Sequence, residues 1–99
     1  MKFIVSAKKT DQGVLLVVTD EDIVGCYFEE GRKELDLRKD FYRGDLKGRK
    51  EVEDLFEYAV YIHLTGKAAV ALGVERGLVS AKRVLIVAGV PHAEVVMAF

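Results

Sequence analysis

The chain has 99 residues, 51% of them hydrophobic and 31% charged, with a formal net charge of −1 at pH 7. That length suits one compact domain, and the apolar content can build a core without metals or disulfides. A single cysteine, Cys26, excludes an intramolecular disulfide; no Cys/His spacing matches a zinc site, and no stretch approaches the roughly 20 apolar residues of a membrane span.

These features predict a single domain over 1–99, with no cofactor, no metal and a cytoplasmic location. The start, Met1 to Ala7, lacks the long apolar core of a signal peptide. Asparagine and tryptophan are absent, Gln12 is the sole glutamine and charge is abundant, a composition with a thermophile tendency.

Phe3, Val5 and Ala7 alternate with other residues and run into the turn formers Lys8 to Gly13, which predicts a strand and a turn. Val14 to Val18 is a continuous run rich in β-branched residues, the pattern of a central strand, and the two strands are expected to form a hairpin. An acidic turn, Asp20 to Asp22, is closed by Gly25 and precedes a third short strand, Cys26 to Phe28. Leu35 and Leu37 alternate with Glu34, Asp36 and Arg38, the period of a strand with one wet face. The first 40 residues therefore read as a four-stranded meander.

From Val52 the period changes. Val52, Leu55, Phe56, Ala59, His63 and Gly66 recur at spacings of three and four, which predicts an amphipathic helix with His63 in its apolar stripe. A second helix is expected over Lys67 to Arg76, with Gly77 in the C-terminal capping position. Val84 to Ala88 reads as an apolar strand and Gly89 to His92 as a turn, and the apolar tail from Val95 to Phe99 is expected to pack. The predicted fold class is α+β: a mostly antiparallel sheet with two helices packed on one face.

Chemistry-bearing motifs are sparse. Gly66-Lys67 lacks the upstream glycine and following hydroxyl residue of a phosphate loop, and no dinucleotide glycine fingerprint is present. With two serines, two histidines and one cysteine, no nucleophile triad can be read from spacing. His63 is expected to be a core histidine hydrogen-bonded to backbone, and Cys26 a small core filler. His92 stands apart, because it follows the only proline, Pro91, in a turn shaped by Gly89, and Glu94 would share its face on a strand.

Charge is uneven along the chain. Residues 31–50 hold eight Lys/Arg against four Asp/Glu, a local net of +4 in an otherwise acidic protein. Phe41 and Tyr42 lie within this stretch, so Arg38, Tyr42, Arg43 and Lys47 offer the cations and the aromatic face that hold single-stranded RNA. The leading expectation is a non-enzymatic RNA- or ribonucleoprotein-binding module using residues 31–50. The alternative is a small enzyme or metabolite-binding protein centred on His92, with Gly89 and Pro91 shaping its loop and Glu94 or the Asp20 to Asp22 turn orienting the ring. A third is a structural partner inside a larger complex or a homodimer.

Phe41-Tyr42, Leu64 with Gly66, Ala69-Val70, Gly77-Leu78-Val79 and Gly89-Val90-Pro91-His92-Ala93 together resemble an archaeal family, domain of unknown function 424, over nearly the whole chain. The run from Gly89 to Ala93 is its most specific element. Arg43 stands where that family's pattern has glycine, and His63 where it has asparagine. The resemblance implies a small cytosolic archaeal protein and carries over no activity.

Overall fold

The structure, a computed structural model, describes residues 2–97. Ala98 and Phe99, the end of the tail expected to pack, lie outside the described residues. The first two strands form the expected hairpin: β1 (Lys2–Thr10) pairs antiparallel with β2 (Gly13–Asp20). Its turn is fixed by Thr10, whose hydroxyl donates to the Gly13 carbonyl at 2.7 Å and accepts from the Gln12 N–H at 3.2 Å.

After β2 the chain leaves the sheet through a 3-10 turn at Glu21–Ile23, and this overturns the four-stranded meander. The next two strands, β3 (Tyr27–Glu30) and β4 (Lys33–Asp36), pair among the described residues only with each other. The physical reason is a second, smaller core: Leu35 and Leu37 bury with Val87, and Ile23, Phe28, Tyr42 and Val90 pack around them. Cys26, at the foot of this hairpin, is exposed and fills no core.

A further short strand, β5 (Asp45–Gly48), returns to pair with β1, and helix α1 (Arg49–Phe56) follows. The Glu51 side chain accepts from the Gly48 N–H at 3.2 Å and supports the first turn of α1. The helix stops at Phe56, ten residues short of the predicted end. Ala59–Thr65 is strand β6, lying parallel to β2 and antiparallel to β8 (Val90–Val96). Ala59, His63 and Gly66 fall by coincidence on a helical spacing; the β-branched and aromatic run Val60-Tyr61-Ile62 fits a strand held between two others. Because β2 and β6 are parallel, a crossover must join them, and residues 21–58 supply it. The six-stranded sheet is therefore mixed, in the order β5-β1-β2-β6-β8-β7, with β7 at Leu85–Val87 and β2–β6 its only parallel pair among the described residues.

Helix α2 (Lys67–Glu75) begins at Gly66 and ends before Gly77, which takes φ +73° as its expected capping role requires. The cap at its start is remote in sequence: the Asp20 carboxylate at the end of β2 accepts from the Ala68 and Ala69 N–H groups at 2.9 and 2.8 Å. Both helices cover the face carrying Phe3, Val5, Leu16, Val18, Ile62, Leu64, Ala93 and Val95, and this is the main core. No helix among the described residues is long and apolar enough to cross a membrane.

Burial raises the Asp20 carboxyl above its ordinary value, against the lowering effect of the Ala68 and Ala69 N–H donors. The folded state thus holds this proton more tightly than the unfolded chain does. The stability Asp20 contributes is fully present below the unfolded value of 3.8 and is lost as pH rises through the raised folded value. Asn at this position cannot titrate. In paired urea unfolding, the stability of the wild type relative to Asp20→Asn should fall as pH rises from the unfolded value of 3.8 through the raised folded value. A difference independent of pH would contradict this account.

Candidate functional site

The face of the sheet opposite the helices carries the polar residues. Strand alternation sends Ile62 and Leu64 into the core, so His63 and Thr65 between and beyond them turn to the other side. Register then lines up two rows across three strands: Thr19, Thr65 and His92 in one, Val17, His63 and Glu94 in the other. His92 and Glu94 share the face, as their two-residue spacing predicts.

The turn predicted at Gly89 to His92 is shorter than expected. Ala88 and Gly89, at φ 50° and 82°, make a two-residue turn between Val87 and Val90, and His92 lies inside β8. His92 is accordingly buried, with 9% of its surface exposed. Its Nδ1 lies 2.8 Å from the buried Thr65 hydroxyl, and its Nε2 3.3 Å from Glu94 Oε2. His63 Nε2 is 3.8 Å from Glu94 Oε1, and the two imidazole centroids are 5.8 Å apart. Next along the first row, the Thr19 hydroxyl is buried without a hydrogen-bond partner among the described residues.

A 3-10 turn at Asp40–Tyr42 lies against β1 and β2 on this side and forms the rim of the cluster. Phe41 meets the His63 ring edge-on at 5.2 Å, and Lys8 Nζ lies 5.4 Å from the Phe41 centroid. Burial lowers the His63 pKa, opposed by the Glu94 charge and assisted by His92, so the ring is mainly neutral at pH 7. Tyr42 is pushed up by burial and then by the Glu94 and Asp36 charges, so its hydroxyl keeps its proton.

His63 thus lies partly buried on β6 beside His92 and Glu94, not in the helical core position expected from the sequence. Sequence reasoning also missed Thr65 and Thr19. The alternation Tyr61, His63, Thr65 is the signal that could have found His63 and Thr65.

The other sequence-predicted site residues lie elsewhere. Gly89 and Pro91 line a cavity of about 540 Å³ with Asp20, Ile23, Gly66 and Lys67, away from the His92 ring. The cations of residues 31–50 are largely engaged. Arg38 grips Asp36 through two bonds, at 2.8 and 3.1 Å, with its guanidinium 4.7 Å from the Tyr27 centroid. The Arg38 hydrogen bonds hold the Asp36 carboxyl down at about 2. Arg43 pairs with Asp40 at 3.2 Å and Lys47 with Glu51 at 3.8 Å, while Arg49 and Lys50 also meet acids. Tyr42 is half-buried against the smaller core, which leaves less of its ring for stacking.

The family described as "Protein of unknown function (DUF424)" matches residues 7–97. A crystal structure of an uncharacterized conserved protein from Methanopyrus kandleri is similar over 95% of this chain and 90% of that one, with a TM-score of 0.75 and 24% identity. That likeness supports the fold. No curated protein matches the chain.

Proposed function

We propose that this chain, which belongs to the DUF424 family, is a small-ligand-binding protein, an enzyme or a metabolite binder, whose working site is the polar cluster around His92. The observation that carries the reading is the convergence of His63, His92 and Glu94 within 3.3 and 3.8 Å, with Thr65 fixing the His92 ring from behind. Two imidazoles beside a carboxylate, partly shielded from water by Phe41, can bind a polar ligand and hold it against donors and acceptors of fixed direction. A cytoplasmic setting and an archaeal, thermophile-like source belong to the same reading.

RNA binding through residues 31–50 is the second reading, supported by the local net charge of +4. Five of its eight cations are engaged with acids, so fewer phosphates could be neutralised than the sequence suggests.

One NMR titration separates the two. Small carboxylates, phosphates and amines are expected to shift the rings of His63 and His92 and the amides of Phe41 and Tyr42, and Glu94→Gln should weaken that response about tenfold. A single-stranded oligonucleotide that instead shifts residues 31–50, with an affinity falling by about 0.7 log units per log unit of salt for each phosphate contacted, would replace the ligand reading with the RNA one.

A further inference from the structure

We propose that His63, His92 and Glu94 bind a divalent transition-metal ion of the zinc or cobalt kind; this names the ligand class of the site proposed above and rests on that reading.

The three donors come from neighbouring strands on one face of a sheet, and their ligand atoms all lie within 4.8 Å of one another. In a tetrahedral site with bonds of about 2.0–2.1 Å, neighbouring ligand atoms lie about 3.3–3.4 Å apart. His92 Nε2 and Glu94 Oε2 already stand at 3.3 Å, and His63 Nε2 and Glu94 Oε1 at 3.8 Å. Glu94 is exposed, so its side chain is free to make the remaining adjustment.

Thr65 supplies the supporting contact a metal-bound histidine needs. A metal ion on Nε2 would place the ring proton on Nδ1, where the Thr65 hydroxyl 2.8 Å away can accept it and hold the His92 ring in that tautomer. His63 presents its Nε2 from the adjacent row, 3.8 Å from Glu94 Oε1. Two imidazoles and one carboxylate favour zinc, cobalt, nickel, copper or iron over calcium and magnesium, which take all-oxygen sets. Three protein ligands at a partly open face leave a coordination position for water or substrate.

The test uses the full chain stripped with EDTA and titrated with Zn²⁺ or Co²⁺ alone, followed by calorimetry, the visible spectrum of cobalt and the imidazole NMR signals. One equivalent should bind with a dissociation constant below about 10 µM, give the intense visible bands of low-coordinate cobalt and shift both histidine rings. Glu94→Gln and His63→Asn should each weaken binding at least tenfold, and Thr65→Val about tenfold. Glu57→Gln, on an exposed acid outside the cluster, should leave it unchanged. Glu94 is exposed enough that its substitution keeps the test intact if a histidine variant fails to fold.

Binding that leaves the histidine rings unmoved, or that survives both Glu94→Gln and His63→Asn, would overturn the metal assignment. Organic ligands shifting the rings while Zn²⁺ and Co²⁺ do not would overturn it and leave the small-ligand reading standing. If neither metal nor organic ligand moves them, both fall.

Discussion

Gly66→Ala is expected to destabilise the protein by about 2–6 kcal/mol, which is a large part of the 5–15 kcal/mol that holds a typical domain together. Gly66 sits at φ 108° and ψ 160°, a region essentially reserved for glycine, where a side chain costs about 1–3 kcal/mol. An added Cβ would also run into the Asp20 carboxylate, which cannot retreat without releasing the Ala68 and Ala69 N–H groups it caps. Overpacking of that kind adds about 1–3 kcal/mol. The Gly66 N–H donates to the Pro91 carbonyl at 2.9 Å, so the strain reaches the residue before His92. A matched control is Gly31→Ala, at φ 61° with open space around it, where only the backbone conformation resists the methyl. Urea unfolding should place the Gly66 variant well below the Gly31 variant in midpoint, and equal losses in the two would refute the clash with Asp20.

The sequence was informative wherever one strand or helix carries its own pattern. The β1–β2 hairpin, α2 with Gly77 at its end, and β7 within Val84 to Ala88 all follow from local periodicity and turn residues. It misled where two periods overlap. Ala59, His63 and Gly66 fit a helical stripe, yet β2 and β8 on either side make the strand the better-bonded choice for these residues. Leu35 and Leu37 show strand alternation correctly but carry no information about which sheet they join. That choice depends on Val87, some fifty residues away, and on the 3-10 turn that takes the chain off β2.

The candidate site was half legible for the same reason. His92 with Glu94 is a local pair readable from a two-residue spacing, whereas His63 and Thr65 reach them only through the β6–β8 register. The basic stretch illustrates the converse. Its composition was read correctly, but Arg38–Asp36, Arg43–Asp40 and Lys47–Glu51 are short-range surface pairs in which a neighbouring acid offsets the cation.

Leu64→Ala should cost about 2–5 kcal/mol, the range for emptying a fully buried leucine site, since Leu64 is 0% exposed in the middle of the main core. The structure allows a sharper test, because Leu64 Cδ1 fills the space beside Gly73 of α2. A Cβ at Gly73 would overlap that methyl and lie 3.1 Å from Val79 Cγ2. Gly73→Ala in the wild type therefore sets a helix-propensity gain of about 1 kcal/mol against overpacking of about 1–3 kcal/mol, for a net loss of about 0–2 kcal/mol. With Leu64 shortened to alanine the overlap disappears, and the same methyl fills part of the cavity. Gly73→Ala should then become stabilising by about 1 kcal/mol, a coupling of about 1–3 kcal/mol between the two positions. Additivity of the two substitutions within about 0.5 kcal/mol in a double-mutant cycle would sink this packing account. His63 and Thr65 flank Leu64 and point to the opposite face, so the cycle also bears on the site. If β6 is held in place by this contact with α2, the Leu64→Ala variant should show altered His63 and His92 ring signals, and adding Gly73→Ala should move them back toward those of the wild type.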